Sequence, residues 1–139
     1  MKKAQAVFLT LFVALALKAS AQGNAPLKLI SSTPLPGFTG DFDHFGIDLN
    51  GGRLFLAAED HKTVEVFDLH TGKRLHSITG FSQPHAIHYI PESNELIVTD
   101  GDDFGMCELV SGKTYKILRT IKLPVGVDSG EYNPVDQDY

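Results

Sequence analysis

Residues 43–80 read DHFGIDLNGGRLFLAAEDHKTVEVFDLHTGKRLHSITG, and the punctuation of this stretch decides the fold class. Asn50-Gly51-Gly52 and His70-Thr71-Gly72-Lys73 are turn strings, because Asn and Gly reach the left-handed conformations of tight hairpins at little steric cost. Glu59-Asp60-His61-Lys62 is a polar break between them. The intervening runs, 45–49, 53–58, 63–68 and 74–78, are too short for helices and rich in β-branched and aromatic residues. Val64 and Val66 alternate with Glu65 and Phe67 at the period of two that a strand requires. A looser copy follows at once: Arg53-Leu54-Phe55-Leu56 recurs as Glu95-Leu96-Ile97-Val98, and Thr71-Gly72-Lys73 as Ser111-Gly112-Lys113. Four short strands recurring every ~40 residues is the pattern of β-propeller blades.

Working outward, the second copy is expected to hold strands at 86–90, 95–99, 105–109 and 115–123, with turns at Pro91-Glu92-Ser93-Asn94 and Val110-Ser111-Gly112-Lys113. A third copy begins near Asp128, since Tyr132-Asn133-Pro134 aligns with Tyr89-Ile90-Pro91. Upstream, LKLISST at 27–33 resembles KILRTIKL at 116–123 and is followed by a similar Pro/Gly string, so it reads as the outermost strand of another blade. The expected architecture is all-β: two complete four-stranded antiparallel blades at about 42–80 and 84–123, flanked by partial blades in an incomplete ring. Blades bury both faces against neighbours, so the open faces imply either a longer propeller of which this is a piece or self-association.

Residues 1–21 form a separate object. Lys2 and Lys3 precede an uncharged run from Ala6 to Leu17, and Ala19-Ser20-Ala21 supplies the small residues read at a signal cleavage site. The apolar run is shorter than the ~20 residues that span a bilayer. Cleavage after Ala21 is expected, giving an exported, periplasmic or extracellular product that does not span the membrane. Loss of Lys2, Lys3 and Lys18 leaves a markedly acidic chain from one whose net charge is already −5, which speaks against nucleic-acid binding through phosphate neutralisation. Cys107 is the single cysteine, so an internal disulfide is excluded and a buried, inert thiol is expected.

The strings Gly40-Asp41-Phe42-Asp43-His44-Phe45, Val64-Glu65-Val66-Phe67-Asp68-Leu69 and Ile97-Val98-Thr99-Asp100-Gly101-Asp102-Asp103, with Arg53-Leu54-Phe55-Leu56, resemble the YVTN family of exported bacterial β-propellers. The resemblance runs from about Leu27 to Pro134. It implies a ring of about seven blades, of which this chain would supply a part, and it implies no particular activity.

Site candidates come from blade topology. Loops entering each innermost strand and loops between the second and third strands open on one face. There they gather Asp43, His44, Asp60, His61, His85, Asp102 and Asp128 as candidate ligand-binding residues, with Glu59, Asp41, Asp100 and Asp103 nearby. Asp43, His44 and His85 form the candidate metal set, for Ca²⁺ if oxygen dominates or a transition ion if imidazole takes part. No His-x-x-x-His or paired-cysteine spacing, nucleophile elbow or phosphate loop accompanies them. The leading function class is a non-catalytic binding or scaffold protein of the cell envelope, with a small ligand or an envelope protein on the loop face. The alternatives are a metal-dependent hydrolase or lactonase-like enzyme and a fragment without independent activity.

Overall fold

A computed structural model describes residues 27–101, 104–124, 126–133, 135, 136 and 138. The expected signal peptide, its cleavage site at Ala21, and Asp102 lie outside the described residues. The chain divides into two units, residues 1–30 and 31–139. No strand is present in the described part of the first, and the description below concerns the second.

Eight strands form two antiparallel meanders. β1 (Phe45–Asp48), β2 (Arg53–Ala58), β3 (Thr63–Asp68) and β4 (Arg74–Thr79) make one sheet in that order. β5 (Pro84–Ile90), β6 (Glu95–Asp100), β7 (Met106–Ser111) and β8 (Ile117–Lys122) make the other. A 3-10 turn at Glu59–His61 joins β2 to β3, and Lys62 ends it in the left-handed region. Among the described residues no helix is long and apolar enough to cross a membrane. The arrangement fits part of a propeller-like fold, without a closed ring.

The core lies between the sheets. Alternation in β2 and β3 turns Phe55, Ala57, Val64 and Val66 to one side, where they cluster with Ile78, Phe81, Ile87, Leu96, Val98 and Val110. The innermost strands pack closely at Gly46, where a Cβ would lie 2.9 Å from Ile87 Cγ2 and 3.1 Å from its carbonyl oxygen. At the hairpin-turn end, half-buried Arg53 ties the sheets together. It donates to Asp48 Oδ2 at 2.7 and 2.9 Å in its own sheet, and to Asn94 Oδ1 at 2.9 Å, Tyr115 Oη at 3.2 Å and the Gly112 carbonyl in the other. Burial alone would raise the Asp48 pKa, but the Gly51 N–H and the Arg53 guanidinium more than offset it and hold the carboxyl below its usual range.

The second sheet repeats the first, with Arg53–Leu56 matching Glu95–Val98 in the expected frame, but the turn after the third strand does not keep the expected frame. Leu69 N–H donates to the Gly52 carbonyl as Gly112 N–H does to Asn94, and Gly72 N–H donates to Asp68 as Tyr115 N–H does to Ser111. Gly72 therefore corresponds to Tyr115, which takes the left-handed φ of 58°, and the Thr-Gly-Lys/Ser-Gly-Lys match is out of frame by three residues. Asp68 and Ser111 organise the two turns, each accepting backbone N–H groups two and three residues on. Both sheets carry a register irregularity between their third and fourth strands at the same place, Val66/Phe67 and Leu109/Val110.

Two expected strands are not formed. Residues 27–33 are coil, because a fourth strand exists only by pairing with a third strand and none precedes them among the described residues. Residues 128–132 are also coil, with an isolated bridge from Asn133 to Asp138. Tyr132 nevertheless stacks on His88 of β5 at 4.8 Å. On the outer side of the first sheet, Thr33 and Leu35 border an apolar cavity of about 270 Å³ with Leu54, Leu56, Phe67 and Leu69. Cys107 is half-buried rather than buried, and burial beside Glu108 pushes its thiol pKa up, away from reactivity.

Candidate functional site at the loop end of the sheets

The start of β1, the end of β2, the start of β5 and the end of β6 converge at one end of the molecule. Asp43 is held there by its N–H, which donates to Ala57 O at 2.9 Å, while His44 O accepts from Ala57 N–H at 3.0 Å. These bonds extend the β1–β2 ladder by two residues and aim the Asp43 side chain at the second sheet. There His85, 9% exposed, places Nδ1 2.8 Å from Asp43 Oδ2 and Nε2 3.4 Å from the Gly101 carbonyl. Glu59 completes the group: ligand atoms of Asp43, Glu59 and His85 all lie within 4.8 Å of one another. The Gln83 side-chain amide donates to Glu59 Oε1 and so fixes the third member.

Both His85 nitrogens face acceptors, which favours a proton on each. Burial would lower its pKa, but the hydrogen bond to Asp43, the Gly101 carbonyl and the negative charges of Glu59 and Asp43 outweigh burial and raise it. Nitrogen and oxygen donors in this proportion suit a divalent transition ion better than Ca²⁺, which prefers an all-oxygen shell.

The structure sorts the expected site residues. Asp43 and His85 are brought together. His44 lies on the other oxygen of Asp43, 2.6 Å away, with its side chain 54% exposed, so the tight group contains Glu59 in its place. Asp60 and His61 do not reach the site. Asp60 Oδ2 accepts from Asp41 N–H at 2.7 Å, and His61 Nε2 binds the Thr39 backbone while its ring packs on Phe38 at 4.3 Å. Both fasten residues 38–41 to the first sheet, since the 3-10 turn rotates them away from Glu59. Asp128 Oδ1 lies 3.7 Å from His85 Nδ1 and is 86% exposed. Asp100 is fully buried and accepts backbone N–H groups of Ser82 and Gln83, fixing the entry to β5 rather than facing the site. Glu59 is the residue hardest to single out, because sequence shows it only as one acid among several in a polar loop.

No family model matches the chain, and comparison with curated proteins gives no match. Among solved structures, a chain titled Kuenenia stuttgartiensis hydrazine synthase is similar over 70% of this chain, with a TM-score of 0.51 and 25% sequence identity. The match covers 26% of that chain, so this chain spans about a quarter of its length. The likeness concerns the architecture of the sheets.

Proposed function

We propose that this chain is a section of an exported β-propeller that serves as a non-catalytic binding or scaffold module of the cell envelope, with its ligand on the loop face where the two sheets meet. The observation that carries this reading is the convergence of Asp43, Glu59 and His85 from both sheets within 4.8 Å. The blade-like repeats and the resemblance to exported propellers support the setting. Asp43 and Glu59 remain partly exposed, so a divalent cation held between them is reachable from solvent and can anchor a small ligand or an envelope protein.

The test is calorimetric titration of Zn²⁺, Mn²⁺ and Ca²⁺ into the full chain and into Asp43→Asn, Glu59→Gln and His85→Gln variants. Saturable one-site binding in the parent, weakened at least ~10-fold in each variant, is expected from loss of a ligand. No saturable binding of any of the three ions would sink the reading.

A further inference from the structure

The repeat register places the site residues in an order that their loops do not reveal. Ile87 pairs with Val98 as Phe45 pairs with Leu56, and Val98 corresponds to Leu56 through the match of β2 to β6. His85 is therefore the counterpart of Asp43, 42 residues on. The alignment of Tyr132-Asn133 with Tyr89-Ile90 makes Asp128 the counterpart of His85, 43 residues further. Three residues that open the innermost strand of successive repeats thus stand side by side. Asp43 Oδ2 is 2.8 Å from His85 Nδ1, and Asp128 Oδ1 is 3.7 Å from the same nitrogen. Two carboxylates thus approach one nitrogen of the buried His85, although residues 128–132 form no strand of their own.

From this juxtaposition we propose that the cation site is an axial one, to which each repeat contributes the residue opening its innermost strand, so that Asp128 is a direct ligand together with Asp43, His85 and Glu59. The proposal rests on the cation-binding reading above and extends it. Innermost strands surround the central channel of a propeller, so one donor per repeat at this level faces a common centre. The donor set is then one imidazole nitrogen and three carboxylates. The charge of a divalent ion held there offsets two of the three carboxylates. A four-donor set of this kind matches Zn²⁺ or Mn²⁺, whereas Ca²⁺ requires six to eight oxygens.

The experiment compares Zn²⁺, Mn²⁺ and Ca²⁺ affinities of the full chain with those of Asp128→Asn and Asp136→Asn, the latter an exposed acid of the same segment. Thermal melting without added metal checks that both variants fold; the exposure of Asp128 makes an unchanged melt the expected result. Zn²⁺ and Mn²⁺ binding should weaken about tenfold or more in Asp128→Asn and stay within twofold in Asp136→Asn. Parent-like affinity in Asp128→Asn, with binding still lost in Asp43→Asn, overturns the axial arrangement and leaves the binding reading intact. Equal weakening by Asp136→Asn shows a diffuse charge effect and also overturns it, as does tighter binding of Ca²⁺ than of Zn²⁺. Absence of binding by the parent chain overturns both.

Discussion

Replacing Glu108 with Gln should stabilise the protein at neutral and alkaline pH, and the repeat supplies the internal control that explains why. Glu65 and Glu108 occupy the same place in the two sheets, opposite Leu56 and Val98 respectively, and both are buried. Glu65 is well partnered: the Thr63 hydroxyl donates to it at 2.7 Å, the Ser77 hydroxyl also donates, and Arg74 lies at 3.3 Å. Glu108 retains only the counterpart of Ser77, Thr120, at 3.5 Å. Met106 and Ile117 stand where Thr63 and Arg74 stand in the first sheet, and Glu108 Oε2 has no hydrogen-bond partner among the described residues. Burial first, and then the charge of Asp100, raise the Glu108 pKa from 4.5 to about 7 despite Thr120. A carboxyl whose folded value exceeds its unfolded value binds more protons when folded. Its contribution is therefore greatest below 4.5, declines as pH climbs to about 7, and is flat above. At ~1.4 kcal/mol per pH unit, the loss across that window is at most about 3 kcal/mol. Urea denaturation from about pH 4.5 to about pH 8.5 should show Glu108→Gln close to the parent at the acid end and more stable by up to ~3 kcal/mol at the alkaline end. A Met106→Thr variant, which restores one missing donor, should recover part of that gain with the carboxylate retained. A parent that becomes more stable than Glu108→Gln between about pH 5 and pH 7, or a difference that does not vary with pH, would refute the reasoning.

Three further outcomes follow from the packing between the sheets. Arg53→Ala leaves the Asp48 carboxylate buried without its guanidinium and should cost about 3–5 kcal/mol in chemical denaturation, and Arg53→Lys should recover little because an ammonium cannot make the same fork of bonds across two sheets. Gly46→Ala drives a methyl into Ile87 and should cost about 1–3 kcal/mol; full stability in a denaturation curve would show that the sheets are more loosely apposed than the 2.9 Å approach implies. Asp100→Ala strands the Ser82 and Gln83 N–H groups and should cost about 2–3 kcal/mol at pH 7, while lowering the Glu108 pKa measured by the pH dependence of stability.

Strand and turn chemistry makes the two sheets legible in the sequence. Val64-Glu65-Val66 alternates, Gly52 and Gly72 hold positive φ at hairpins, and β2 and β3 begin and end where the turn residues put them. Repeat register is less legible, because a left-handed turn position is recognised in a sequence by its glycine. The second sheet fills that position with Tyr115, whose ring stacks on His76 at 4.7 Å and whose hydroxyl accepts from Arg53. The segments 27–33 and 128–132 show the opposite limit. Their patterns suit strands, yet a strand forms only against a partner's backbone groups, and that partner is not encoded in the pattern itself.

The site shows why membership of a loop is a weaker guide than position in a repeat. Glu59, Asp60 and His61 are consecutive, but a 3-10 turn sends them in different directions, one toward His85 and two toward residues 38–41. Asp43 and His85 are far apart in sequence and differ in residue type, but each holds the equivalent place at the opening of its own repeat, and the fold brings those positions together. The same logic governs the buried acids: Glu65 and Glu108 share an address but not a set of partners, so one is a satisfied carboxylate and the other keeps an unpaired oxygen. Repetition in this chain preserves where a side chain is delivered. The chemistry it performs there is set by what the neighbouring strands happen to offer, which is why Met106, rather than Glu108 itself, is the residue whose substitution tests that separation most directly.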